Sequence, residues 1–198
     1  MFEFMLASSN AHKAQELQLS LAGAPFKIIS APKKIAVIED GKSYYENAFK
    51  KAAAYAAHFK VPVVADDSGL EVDALPGELG IHSARFGGQE TSDQAKVDLL
   101  LQRMQKFSAL EQRKAHYTCV LCFYFAAEEV YFFTGELHGH LAMAAQGTDG
   151  FGYDPIFIPT ALAPDTLAMH KAWKDQNSHR ACAAAAAIAF LRERIAKS

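Results

Sequence analysis

The chain lacks an excess of charge of either sign: 20 Lys and Arg stand against 22 Asp and Glu, for a formal net charge of −2. Long polyanions and anionic membrane surfaces are therefore not expected as partners, although a local basic pocket fits the same balance. Cysteine is scarce, at three, which excludes a disulfide framework and fits a reducing, cytoplasmic setting. Two of the three form a CxxC at Cys119 and Cys122, but within AHYTCVLCFYF, whose aromatic and β-branched content reads as strand. The odd offset sends the two thiols to opposite faces, as core residues. No basic region precedes the apolar residues of MFEFMLASSN, and the longest apolar run, ACAAAAAIAFL from Ala181, falls short of the ~20 residues a membrane span needs. The glycines and GK[ST] ending of a P-loop are missing, as are repeats, low-complexity tracts and linkers.

With 198 residues, 51% of them hydrophobic, the chain can bury a full core, and residues 1–198 read as one domain or two intimate lobes. FEFMLA reads as a strand, followed by a helix from Ala11 to about Ala22 capped by Asn10. FKIIS is a second strand. Ser43 and Glu46 have capping-box spacing at the start of an alanine-rich helix through Ala57, on which Glu46 and Lys50 can pair. The strand VPVVA ends at the adjacent acids Asp66 and Asp67; T-x-x-Q from Thr91 opens a helix to about Lys106. AHYTCVLCFYFA and EVYFFTGELHGHLAMAA form an antiparallel pair, and a last helix starts after Ser178. Strands alternating with helices, then long adjacent strands, indicate an α/β protein with a mixed sheet.

Five segments carry candidate chemistry. In SSNAHK, two hydroxyls, an amide and Lys13 meet a helix N-terminus after the first strand, an arrangement suited to phosphate; an ordinary cap with a solvated lysine is the plain alternative. In ENAFKKA, Asn47 and Lys51 share a helical face, which by itself reads as a solvated surface unless Lys51 points where Lys13 does. ADDSG lies at the carboxyl end of a strand, where α/β sheets bind ligands. Its side chains diverge on an extended backbone, and hard carboxylate oxygens suit Mg²⁺ completed by substrate phosphates. GTDGFGYDP alternates aromatics with glycines that let a flat ring approach backbone. KDQNSHRA gathers donors at the start of the last helix. His138 and His140 face the same way on a strand but have no third ligand at metal spacing.

In order, LASSNAHKAQEL, ENAFKKA, VVADDSGLEVDALPGELGIHSARFGG, GTDGFGYDPIF and SHRA resemble the family of inosine triphosphate and xanthosine triphosphate pyrophosphatases over Leu6 to Ala181. That resemblance implies an elongated mixed-sheet α/β fold, helices flanking a long twisted sheet with a central nucleotide cleft. It implies a homodimer that hydrolyses non-standard purine nucleoside triphosphates (ITP, dITP, XTP) to the monophosphate and pyrophosphate with Mg²⁺. It further implies roles for single residues. Ser8, Ser9, Asn10, Ala11, His12, Lys13 and Lys51 would contact the triphosphate, and Ser68 the substrate. Asp67 would be the general base and a metal ligand, with Asp66 and Glu39 as further ligands. Phe151, Gly152, Tyr153 and Asp154 would bind the base, and Lys174, His179 and Arg180 would read the purine. Ser8-Ser9 departs from the family's Thr-Gly, keeping the hydroxyl but replacing a permissive glycine, and residues 160–173 match no family motif. A pyrophosphatase for modified pyrimidines, of the septum-formation-inhibitor-like kind, is opposed by SHRA and GTDGFGYDP. A nucleotide-binding regulator without turnover is opposed by intact Asp66, Asp67 and Lys13.

Overall fold

A computed structural model describes residues 2–8 and 10–196. Six strands, β1 (Phe2–Ala7), β2 (Phe26–Ser30), β3 (Val63–Val72), β4 (Lys114–Ala126), β5 (Glu129–Leu141) and β6 (Phe157–Pro159), lie in the order β2-β1-β3-β4-β5-β6. β1 runs parallel to β2 and β3, and β5 antiparallel to β6. The two residues joining neighbours β4 and β5 permit only an antiparallel hairpin, so the sheet is mixed as the sequence implies.

The chain divides into two compact units. The first comprises Met1–Ser68, Cys119–Gly135 and Ser178–Ser198, the second Gly69–Thr118 and Glu136–Asn177. In the first unit, strand alternation sorts the core into two sets. Phe4, Leu6, Val64, Cys119, Leu121 and Phe123 pack with Leu17 of α1 (Ala11–Ser20) and with Ala183, Ala184, Ala187 and Leu191 of α5 (His179–Ala196). Met5, Ala7, Val63, Ala65, Val120 and Cys122 pack with Ala48, Ala52 and Tyr55 of α2 (Tyr44–Phe59). This is the period of two expected of strands covered on both faces. On the first face Phe4 meets Phe26, Phe123 and Phe125 edge-on, with ring centroids 5.3, 5.1 and 4.8 Å apart; such pairs contribute roughly 0.5–1.5 kcal/mol each beyond their area.

Cys119 and Cys122 thus fall on opposite faces, both buried, and burial pushes each thiol up to about 12. Thiolate is the reactive form, so the folded protein should take up one equivalent of a thiol reagent near neutral pH, at exposed Cys182, and the other two only in denaturant. Mass spectrometry of the labelled protein checks this.

In the second unit a single core joins Leu70, Val72, Leu75, Leu79, Leu100, Met104, Tyr117, Leu141, Tyr153, Ile156 and Phe157. Arg113, 2% exposed, donates to the carbonyls of Met104, Phe107, Leu141 and Ala142. These contacts close the end of α3 (Asp93–Arg103) and make Arg113 a structural residue.

Several sequence expectations shift. Ser92, not Thr91, caps α3, its Oγ accepting from the Ala95 NH, and the helix ends at Arg103. Glu46 accepts from the Lys42 NH, and Lys50 pairs with Asp40 at 2.5 Å instead of with Glu46. A short helix, α4 (Lys171–Asn177), precedes α5 where no element was expected. β3 does not stop before the acids. β1 pairs with it only as far as Ala65, but β3 continues beside β4 through Asp66, Asp67 and Ser68 to Val72. Asp and Gly are poor strand formers, and the neighbouring strand's ladder overrides them. Among the described residues no helix is long and apolar enough to cross a membrane.

Candidate active site

The alternation that sorts the core also separates the adjacent acids. Asp66 follows the register of Val64, toward α1 and α5; Asp67 follows Val63 and Ala65, toward α2. Accordingly, the Asp66 carboxylate accepts from Arg180 Nε and Nη2 at 3.3 and 3.1 Å, and Lys13 Nζ lies 4.0 Å away. The guanidinium, on a residue 1% exposed, also donates to Ser68 Oγ at 2.9 Å and to the Glu16 carboxylate. Asp67 accepts from Asn47 Nδ2 at 3.1 Å on one oxygen and from the Ser68 NH at 3.0 Å on the other.

Two lysines converge on the same segment. Lys13 Nζ donates to the Ser68 carbonyl at 3.4 Å, and Lys51 Nζ to the Asp66 carbonyl at 2.9 Å while pairing with Glu39 at 2.9 Å. Lys51 is buried rather than solvated, because α2 presents that face to β3. At the head of α1, Asn10 Oδ1 accepts from the Lys13 NH, and Ser8 Oγ accepts from the Asn10 NH and donates to the Asn10 carbonyl. Ala11 and His12 occupy the exposed first turn, and Ser9 lies outside the described residues. The turn carries the positive end of the helix dipole.

Environment separates the two acids chemically. Burial alone would raise the Asp66 carboxyl, but the charges of Lys13, Arg180 and Lys51 hold it well below the usual carboxylate range. Burial raises the Asp67 carboxyl from its ordinary value against the pull of Lys13 and Lys51, and the charge of Glu39 adds to the rise. One acid is a permanent anion that gathers cations. Its neighbour is the better proton acceptor.

The second unit holds its own cluster. Asp154, 2% exposed, accepts from the Phe151 NH at 2.9 Å and from Lys174 Nζ at 2.5 Å, and that ammonium sits 4.6 Å over the Phe151 ring. Gly150 has φ +83°, and a Cβ there would meet Asp154 Oδ2 at 2.1 Å, so both conformation and space demand glycine. The Gly152 NH donates to Asp93 at 2.9 Å. Tyr153 belongs to the core, donating to the Ser83 carbonyl at 2.8 Å, and burial pushes its phenol up. Phe151, half-buried under Lys174, is the loop's aromatic outside that core cluster.

The structure therefore gathers Lys13, Glu39, Lys51, Asp66, Asp67, Ser68 and Arg180 in the first unit, and Phe151, Gly152, Asp154 and Lys174 in the second. Asp66, expected as a metal ligand, is bonded to Arg180. Arg180, expected at the purine, has its guanidinium engaged by Asp66, Glu16 and Ser68. Buried His179 begins α5 beside the cap residue Ser178, whose Oγ accepts from the Ala181 NH. Glu16 and Asp93 were missed. Glu16 lies three residues after Lys13 on α1, a helical spacing that places it near that lysine; Asp93 pairs locally with Lys96, but nothing near it signals its second partner, the Gly152 NH 59 positions away.

The sequence model of the Ham1 family matches residues 4–190. A dITP/XTP pyrophosphatase of Geobacter sulfurreducens is 38% identical over 198 residues, covering 98% of this chain and 97% of the relative. One from Oceanobacillus iheyensis is 39% identical over 184 residues, covering 91% and 93%. Among solved structures, the Staphylococcus aureus Ham1 protein superposes with a TM-score of 0.84 at 36% identity, over 97% of this chain and 99% of the other. A HAM1 protein from Coxiella burnetii does so with a TM-score of 0.85 at 30% identity, over 98% and 100%.

Proposed function

Because the chain belongs to the Ham1 family, we propose that it hydrolyses non-standard purine nucleoside triphosphates, dITP and XTP among them, to the monophosphate and pyrophosphate. The observation that carries this reading is the division of Asp66 and Asp67 between two faces of one strand, which gives adjacent carboxylates opposite proton affinities.

In this reading a water oxygen attacks the α-phosphorus and its proton passes to the Asp67 carboxylate. The bond from that phosphorus to the α,β-bridging oxygen breaks, and pyrophosphate leaves with the bonding pair. A buried carboxylate with raised proton affinity is a stronger base than one in water. Lys13, Lys51 and the first turn of α1 neutralise charge that grows on the leaving diphosphate. Asp66 holds these cations in place with Arg180, and Ser68 continues that contact. Within the second unit, Phe151 offers a ring and Lys174 a donor of the kind that a flat heterocycle bearing a carbonyl requires.

Among the described residues no group of three or more His, Cys, Asp or Glu is placed to hold a metal by itself. Mg²⁺, however, typically takes one or two carboxylates and fills its shell with water and substrate phosphate. Glu39 and Asp67, whose charges act on one another, fit that requirement, and Asp66 is committed elsewhere. Bound there, Mg²⁺ supplies charge neutralisation and polarises phosphate oxygens. The homodimer implied by the resemblance completes the reading, and sedimentation equilibrium tests it.

Phosphate release from dITP and XTP, assayed with and without added inorganic pyrophosphatase, tests the reaction. Orthophosphate should appear only when pyrophosphatase is added, with ATP and GTP turned over far more slowly, and EDTA should abolish formation of the nucleoside monophosphate. Direct release of orthophosphate, or no turnover of either substrate, overturns the reading.

A further inference from the structure

Residues 31–42 contain no regular element yet follow one side of α2, held by a succession of its side chains. The Ile35 NH donates to Tyr55 Oη at 3.1 Å, Glu39 meets Lys51 at 2.9 Å, Asp40 meets Lys50 at 2.5 Å, and the Lys42 NH donates to Glu46 at 2.7 Å. The exposed members of this series contribute little. Tyr55, Lys51 and Asn47 are buried, and Asn47, 1% exposed, joins two partners: its Oδ1 accepts from the Gly41 NH at 2.8 Å and its Nδ2 donates to Asp67 at 3.1 Å.

The amide has one orientation only. An NH can only donate and a carboxylate only accept, so turning Asn47 over would set donor against donor and oxygen against oxygen. Its far end is equally constrained, since a Cβ at Gly41 would lie 2.6 Å from Asn47 Oδ1 and 2.7 Å from Glu46 Cβ. No positive φ is involved there; glycine is present because the backbone approaches the amide. One side chain therefore spans from the segment that carries Glu39, two residues before Gly41, to the carboxylate of Asp67.

We propose that Asn47 is a positioning residue for hydrolysis: its amide locks the rotamer of Asp67 and ties the Glu39 segment to it, so that both carboxylates hold one mutual geometry before substrate arrives. The inference rests on the assignment of Asp67 as the base. Asn47 touches neither water nor substrate in this account and acts only through its two partners.

The experiment compares the parent with Asn47→Leu, which keeps the branched shape and removes both hydrogen bonds, and Gly41→Ala, which removes no polar group but pushes on the amide. With dITP, Asn47→Leu should lower kcat by about 10²-fold, the scale of an ångström-sized misplacement, and leave KM within about threefold. Gly41→Ala should lower kcat by about tenfold in the same way. In the double variant the losses should not multiply, because both act through one contact. A raised KM at unchanged kcat, a loss matched by the unfolded fraction at the assay temperature, or fully multiplicative losses would each overturn the proposal. If Asn47→Leu fails to fold, Gly41→Ala decides alone.

A crystal structure of each folding variant gives a readout independent of turnover. The Asp67 carboxylate should leave its parental position, and a carboxylate found unmoved overturns the positioning role. If the parent releases no pyrophosphate from dITP or XTP, the pyrophosphatase reading fails, whereas the role of Asn47 is judged on where Asp67 sits.

Discussion

Asp67→Asn is expected to lower kcat for dITP by about 10²–10⁴-fold, the range a positioned general base contributes, while the protein stays folded. Both Asp67 oxygens accept hydrogen bonds, one from Asn47 and one from the Ser68 NH. An amide can satisfy one of these and must turn its NH₂ toward the other donor, a local cost of about 1–3 kcal/mol. Against this, the substitution removes a buried charge whose desolvation already lifts its proton affinity. The two effects oppose each other in stability, and only the loss of the proton acceptor bears on the reaction. Steady-state kinetics beside urea unfolding checks both halves. Turnover within about threefold of the parent would remove Asp67 from the base position, since a general base is worth far more.

The second large effect is on folding. Arg180→Met should destabilise the protein by about 3–5 kcal/mol, because removing one partner of a buried ion pair leaves the other charged and unsatisfied. Here Asp66, 1% exposed, loses two hydrogen bonds, and Glu16 and Ser68 lose one each. Lys13, 4.0 Å from Asp66, tempers the loss. Arg180→Lys should recover only part of it, since an ammonium cannot reproduce the planar fork that reaches three acceptors.

Charge-neutral replacement of the whole pair, Arg180→Met with Asp66→Asn, should recover much of the stability and distinguish an unpaired charge from lost packing. The pH dependence has a definite sign. The folded carboxyl of Asp66 lies below its unfolded value, so the pair's stabilisation is present above the unfolded pKa of about 3.9 and is lost as pH falls through the lower folded value. The cost of Arg180→Met measured by urea unfolding should therefore be flat from about pH 5 to 8 and shrink below about pH 4. A cost that instead grew on acidification would show that Arg180 stabilises the fold through something other than Asp66.

Most of what was legible in the sequence is local. Asn10 and Ser43 cap the helices they precede, because a short acceptor beside a new helix has only the nearby NH groups to bind. The offset of Cys119 and Cys122 was enough to place them on opposite faces, because a strand's period is two whatever surrounds it. The five ordered motifs pointed to the family that the comparisons support. Failures came where a distant neighbour overrode local preference. β3 runs through Asp66, Asp67 and Ser68 because β4 supplies a ladder that no residue near 66 announces. Lys50 turns to Asp40 rather than Glu46 because residues 31–42 are laid along α2.

By itself, then, the sequence determined most of the elements, the Asn10 and Ser43 caps, the mixed α/β class and the divergence of two neighbouring acids, since each follows from spacing along a chain of known periodicity. The resemblance named Asp67 as the base, but the physical reason the two acids differ lies in the tertiary structure alone. The same residue type, one position apart, becomes a permanent anion beside Arg180 and Lys13 or a proton acceptor beside Asn47. Proton affinity depends on which charges and how much water surround a carboxylate, and Arg180 lies 114 positions from the acid it holds.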